Sequence, residues 1–189
     1  RNSLSELIQE ACIDVFIPIT VGGGIRNIDD IKNALKSGAD KVAINTKAVQ
    51  DPDFIMKSSK IFGSQCIVSS IEAKLIKDGE WEVYTDNGRE PTGKDVVEWA
   101  KYVEELGAGE IMLTSIDKEG TKKGFDIDLY KSVAQSVSIP IIASGGMGQS
   151  IDAVELLKNA DIDAIATASV LHYKIESIQE IKNTLLEHQ

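Results

Sequence analysis

The phrase Ile17-Pro-Ile-Thr-Val-Gly-Gly-Gly24 returns as Ile139-Pro-Ile-Ile-Ala-Ser-Gly-Gly146, 139 − 17 = 122 residues later. Each copy is followed by an amphipathic stretch and then by a second shared phrase. These are Asp40-Lys-Val-Ala-Ile-Asn-Thr46 and Asp163-Ala-Ile-Ala-Thr-Ala-Ser169, 163 − 40 = 123 residues apart. A shorter echo joins Ser70-Ile71-Glu72 to Ser115-Ile116-Asp117. A spaced repeat constrains a fold more than local propensity does, because both copies must build the same supersecondary unit.

Six short β-branched runs carry the pattern: Ile17–Val21, Lys41–Asn45, Ile67–Lys74, Glu110–Asp117, Ile139–Ala143 and Ala164–Ala168. They are nearly continuously apolar, as strands buried on both faces of a parallel sheet are. Stretches of helical period lie between them, at Ile28–Ser37, Asp53–Ile61, Asp95–Leu106, Asp128–Gln135, Ser150–Asn159 and Ile175–Leu186. Strand–helix alternation implies right-handed βα crossovers. About four such modules separate the copies, so two copies give eight. The expected architecture is an α/β fold, a (β/α)8 TIM barrel of two half-barrel repeats, in one domain over residues 1–189. The second half supplies four strands from Ile67 onward and the first only its last two. Two N-terminal strands are therefore expected to be missing, with about 55–60 residues ahead of Arg1, because a six-stranded remnant leaves raw edges.

Thirty acidic against twenty basic side chains give a net charge of −10, the wrong sign for nucleic acid or an anionic membrane surface. No apolar run approaches the ~20 residues of a membrane span, and Arg1-Asn2-Ser3-Leu4 has neither an initiator Met nor a leader's apolar core. Cys12 and Cys66 lie far apart in apolar stretches and read as buried thiols of a reducing cytoplasm. With two histidines and no clustered spacing, no metal site is expected. His172 and Trp99 read as packing residues.

In such a barrel the chemistry sits at the C-terminal ends of the strands. Gly22-Gly23-Gly24 leads from strand to helix, where glycines let backbone N–H groups approach an anion. Asn45 and Thr46 end the next strand with further donors. The repeat has Ser144, Gly145 and Gly146, then Ala168 and Ser169. Tight turns alone would explain one Gly-Gly. Two copies, each with a polar partner at the next strand end, point to two phosphate cradles across one mouth. Neither a Walker loop nor a dinucleotide fingerprint is present. Glu72 and Asp117 end their strands and are the candidate acid–base carboxylates, with Lys74 beside Glu72. Glu119, Gly120 and Thr121 follow and are expected at the second cradle, although most loop acids are simply solvated charge. Lys77-Asp78-Gly79-Glu80 reads as a hairpin turn between Ile71–Ile76 and Trp81–Thr85, making a flap on the mouth. Asp40, Lys41 and Glu110 begin their strands at the opposite end, where charges usually form salt bridges of small value.

These phrases together resemble the cyclase subunit of imidazole glycerol phosphate synthase, a (β/α)8 enzyme family of histidine biosynthesis. The likeness is carried by Thr20-Val-Gly-Gly-Gly24, Gly38–Thr46, Ala108–Asp117, Ile141–Gly146 and Ala168-Ser169, and it spans essentially the whole chain. It implies a substrate with a phosphate at each end, an ammonia-dependent cleavage and ring closure without cofactor, and a glutaminase docked at the barrel's bottom. It implies that Asp40 faces that partner and that Lys41 and Glu110 belong to a charged ammonia gate. It places one catalytic aspartate before Arg1 and the other at Glu72, where this chain is longer by a methylene. Glu119 likewise stands where the family has aspartate. Misplacement of a reacting group by about an ångström can cost around 10²-fold in rate.

Three functions fit. The first is the histidine-pathway cyclase. The second is a cyclase-like paralogue that uses glutaminase-derived ammonia to amidate a surface-glycan sugar, a branch that Ser70-Ile71-Glu72 and Tyr84–Glu90 resemble. The third is a non-catalytic barrel that only channels ammonia or scaffolds a partner.

Overall fold

β-Branched runs followed by capped amphipathic helices build the parallel framework in the computed structural model, which describes residues 4–188. Arg1–Ser3, read above for a leader, lie outside the described residues, as does Gln189. The strands are β1 (Thr20–Gly22), β2 (Lys41–Ile44), β3 (Ile67–Lys77), β4 (Glu80–Thr85), β5 (Glu90–Asp95), β6 (Glu110–Ser115), β7 (Ile141–Ser144) and β8 (Ala164–Ala166). The helices are α1 (Leu4–Asp14), α2 (Ile28–Lys36), α3 (Thr46–Gln50), α4 (Asp53–Phe62), α5 (Val96–Glu105), α6 (Ile127–Ala134), α7 (Ser150–Asn159), α8 (Ser169–His172) and α9 (Ile178–Glu187).

Six strands run parallel in the order β1-β2-β3-β6-β7-β8, a curled sheet with the topology of part of a (β/α)8 barrel. β3 is long enough to use one edge twice. Its first residues pair with β2, and its later ones pair antiparallel with β4, which pairs with β5. The hairpin thus rises from the C-terminal end of the sheet. The turn at Lys77–Glu80 lies where the sequence places it; the third strand of the flap, β5, has no apolar signature to announce it.

Burial alternates along β2 and β6, with Val42, Ile44, Ile111 and Leu113 fully or almost fully buried beneath the helices. The alternate residues, Lys41, Ala43, Met112 and Thr114, are only half-buried on the concave face. Both faces were expected to be fully buried; the difference arises because the concave face is open among the described residues. Each fully buried Ile or Leu is worth about 1.5–3 kcal/mol of transfer free energy, so the layer between sheet and helices dominates the packing.

Several expected boundaries shift. β1 starts at Thr20, because Pro18 has no N–H for a ladder and Ile17 is 73 % exposed. β7 starts after Pro140 for the same reason, and β8 stops at Ala166. α1, α3 and α8 were not foreseen, the last two being shorter than two turns. The cysteines are free but only half-buried, and Cys12 donates to the Gly38 carbonyl from α1. Trp99 is buried as expected. His172 is exposed and lies edge-on to Tyr173, so its packing role is corrected.

The repeat is physical as well as textual. The Asp40 carboxylate accepts from the Ile19 amide at 2.8 Å, and the Asp163 carboxylate accepts from the Ile141 amide at 2.9 Å. The helices after the two glycine phrases open alike. Asp30 accepts from the amides of Arg26 and Asn27, and Asp152 from those of Gly148 and Gln149. Each carboxylate satisfies donors that a helix start otherwise leaves bare, worth about 1 kcal/mol.

Candidate active site

Strand alternation places Ser70, Glu72 and Lys74 on one side of β3, and Asn45 follows the last residue of neighbouring β2. Asn45 Nδ2 donates to Glu72 Oε2 at 2.8 Å and to the Tyr84 carbonyl at 3.2 Å. The Gly88 amide donates to the same Glu72 oxygen at 3.0 Å. Burial pushes the Glu72 carboxyl above its ordinary value, the Gly88 and Asn45 donors oppose that, and the negative charge of Asp86 adds to it. A half-buried carboxylate with a raised pKa and two fixed donors is suited to taking up and returning a proton. Lys74 does not pair with it; its Nζ lies 5.3 Å from the centre of the Tyr84 ring.

The Gly88 contact depends on the turn between β4 and β5. Asp86, Asn87 and Gly88 have φ of 52°, 59° and 73°, a left-handed run in which Asn and Gly are the tolerant residues. The Asp86 amide donates to Thr46 Oγ1 at 3.3 Å. The hairpin therefore closes over the start of α3 and over Glu72 together.

Asp117 departs from expectation. It is exposed, and its carboxylate accepts from the Leu75 amide at 2.7 Å, fastening the upper part of β3 to the end of β6. A carboxylate held by one backbone donor in water is a structural clasp rather than a group in a water-poor pocket.

The second glycine phrase lines a pocket of about 160 Å³ with Glu119, Gly120, Ser144, Gly145, Gly146, Ala168 and Ser169 in its walls. A Cβ at Gly146 would lie 2.2 Å from the Gly124 carbonyl oxygen, and φ there is +106°, so only glycine fits. The Gly124 amide in turn donates to the Gly146 carbonyl at 2.9 Å. Glu119 Oε2 faces Gly145, but an ionised carboxylate only accepts hydrogen bonds and repels phosphate. A carboxylate oxygen so placed is suited to accept from a hydroxyl or N–H rather than to bind a phosphate directly.

The first phrase is built differently. A Cβ at Gly23 or Gly24 would meet nothing within 4 Å. Asn45 spends its amide donors on Glu72 and Tyr84, while its Oδ1 is buried without a partner. That oxygen suits a ligand's N–H or O–H, not a phosphate oxygen.

At the N-terminal end of the strands, Lys41 and Glu110 form an ion pair across β3, with side chains 26 % and 21 % exposed. Asp40 is exposed, but its carboxylate is bound by the Ile19 amide, which limits what it offers a partner.

Sequence reasoning missed a hub behind the second cradle. Asp126 caps α6 through the Leu129 amide and accepts from Trp81 Nε1 at 3.1 Å and from Ser115 Oγ at 3.4 Å. Tyr130, fully buried, donates to the Ser144 carbonyl, and burial raises its pKa far above the ordinary value. An Asp just before a helical period signalled the cap; the tryptophan contact had no local signal. Among the described residues, no group of three or more His, Cys, Asp or Glu could hold a metal ion, and no helix is long and apolar enough to cross a membrane.

Comparison with known proteins adds a second line. The profile of the family described as "Histidine biosynthesis protein" matches residues 1–176. The chain is 62 % identical over 149 residues to "Imidazole glycerol phosphate synthase subunit HisF" of Legionella pneumophila, covering 79 % of this chain and 70 % of that protein. The protein of the same name from Prochlorococcus marinus (strain AS9601) is 52 % identical over 99 % of this chain and 74 % of its own length. That from Hydrogenobaculum sp. (strain Y04AAS1) is 49 % identical over 100 % of this chain and 75 % of its own.

Proposed function

The chain belongs to the histidine biosynthesis protein family, on its imidazole glycerol phosphate synthase subunit branch, and from that premise we propose how its residues perform the cyclase reaction. It is an enzyme of histidine biosynthesis of the cyclase-subunit kind, a kind that works with a glutaminase partner. The substrate is a bis-phosphorylated ribulosyl-formimino-carboxamide ribonucleotide. Ammonia cleaves it and closes the ring, giving imidazole glycerol phosphate and an aminoimidazole carboxamide ribotide. One phosphate lies on the amides of Gly120, Gly145, Gly146 and the Ala168-Ser169 turn; the other lies by Gly23, Gly24 and Thr46.

Glu72 takes the proton that leaves as ammonia adds and returns it as the ring closes. The Asn45 and Gly88 donors hold its carboxylate in place despite the extra methylene. Asn45 Oδ1 and Glu119 accept from substrate N–H and hydroxyl groups. Asp117 acts by anchoring the strand that carries Glu72, and Lys74 screens the mouth. Ammonia enters past Lys41 and Glu110 from a glutaminase on the Asp40 side. Residues 1–189 act as one domain, in the cytoplasm.

The observation that carries this reading is the doubly hydrogen-bonded, half-buried Glu72 at the mouth of a sheet whose second glycine phrase lines a pocket. The full-length protein, given ammonium salt and this substrate, should consume its absorbance. Glu72→Gln should abolish turnover and Glu72→Asp should retain it. An inactive parent with an active Glu72→Asp variant would instead favour the surface-glycan reading, whose support is Glu72 and the Tyr84–Glu90 phrase. Glutaminase binding without turnover in any variant would leave the channel scaffold.

A further inference from the structure

We propose that Lys122 is the cationic ligand of a phosphate monoester in the second cradle, held in reserve on the ring of Tyr173. The proposal rests on reading that pocket as a phosphate site. The pocket walls contain the Glu119 carboxylate and no cation. A phosphate there meets backbone donors and a hydroxyl, but also a like charge, in a chain whose net charge is −10. Desolvating a dianion beside a carboxylate is unfavourable without a compensating positive group.

Lys122 is placed to supply it. Its Nζ lies 4.2 Å from the centre of the Tyr173 ring, and among the described residues no carboxylate pairs with it. It stands two residues past the wall residue Gly120, and Tyr173 stands four past the wall residue Ser169, so the contact joins the two segments that lead away from those walls. The backbone at Lys122 is fixed, with φ at 58° and its carbonyl oxygen against Gly148, where a Cβ would come within 2.3 Å. The side chain is a flexible four-carbon stem with a point charge. An exposed ring holds such a charge weakly, while a phosphate offers it a full counter-charge. The ammonium therefore leaves the ring when a phosphate enters.

The test follows backbone amide shifts of the full-length protein during titration with inorganic phosphate. Gly145, Gly146 and Ser169 report the second cradle, and Gly23 and Gly24 the first. Lys122→Met should weaken binding at the second-cradle amides by about three- to tenfold and leave the first-cradle response unchanged. Lys122→Arg should restore affinity. Tyr173→Leu should tighten binding by about two- to fivefold, because the ring no longer competes. Unchanged affinity in Lys122→Met overturns the role of Lys122 and leaves the cradle standing. A loss in Tyr173→Leu equal to that in Lys122→Met overturns the reserve position. No response of the second-cradle amides in the parent overturns the cradle, and Lys122 with it.

Discussion

Asn45 reaches from the end of β2 to Glu72 on β3, its Nδ2 2.8 Å from the carboxylate oxygen that also receives the Gly88 amide. A donor to an ionised carboxylate favours the ionised form. Asn45→Leu should therefore raise the Glu72 pKa further and move the acid limb of kcat/KM to higher pH. Loss of one charge-assisted hydrogen bond predicts a fall of about tenfold or more near neutral pH. A pH–rate profile of the variant beside the parent checks both effects.

Glu72 also links stability to pH. Its folded pKa lies above its ordinary value, chiefly because burial penalises the charge, so the native state holds the proton longer than the unfolded one. Any stabilisation from that group is complete below the unfolded pKa and is lost as pH rises through the folded pKa. Glu72→Gln should match the parent in acid and become the more stable of the two toward neutral pH. Urea unfolding at several pH values measures the divergence; parallel curves would contradict the burial argument.

Lys41 and Glu110 are partly screened but enclosed, so breaking the pair leaves an imperfectly solvated charge. Lys41→Met should destabilise the fold by about 1–2 kcal/mol, with most of that recovered when Glu110→Gln is added. A double-mutant cycle in denaturant reads the coupling. In the glutaminase complex, the same variants should uncouple glutamine hydrolysis from cyclisation while ammonium-driven turnover persists.

Asp40 and Asp163 make the same carboxylate-to-amide bond in the two repeats. Asp40→Ala and Asp163→Ala should each cost about 1 kcal/mol, and because the sites share no partner the double variant should cost the sum. Non-additivity in thermal unfolding would show that the two sheet edges communicate.

The two glycine phrases should differ sharply in tolerance. Gly146→Ala drives a Cβ into the Gly124 carbonyl and should unfold the protein or cost several kcal/mol. Gly23→Ala meets open space and carries only the cost of its +90° φ, about 1–2 kcal/mol. Circular dichroism melts of both variants decide the matter.

Much of the frame is legible in the chain itself. The βα order, the helical stretches after Asn27 and from Asp95, and the Lys77–Glu80 turn follow from short-range chemistry, with periodicity and turn residues setting them one element at a time. Glu72 and the Gly145-Gly146 phrase were visible because the same pattern puts them where the parallel part of β3 and the end of β7 run out, although β3 itself continues to Lys77 as part of the hairpin. The roles of Asp117 and Asp40 were not. Each is an acid at a strand end in the sequence, and only the packed neighbour shows that an amide has already taken its carboxylate.

The sequence by itself determined the repeat, the parallel sheet and the family, since these rest on the order and spacing of residue types along one chain. Only the tertiary structure decided that Asn45 and the Gly88 turn seize Glu72, that Trp81 reaches Asp126, and that Lys122 lies on Tyr173. Those contacts join residues brought together by sheet curvature and loop docking. Their energies arise from separations of a few ångströms in space, which spacing along the chain does not encode.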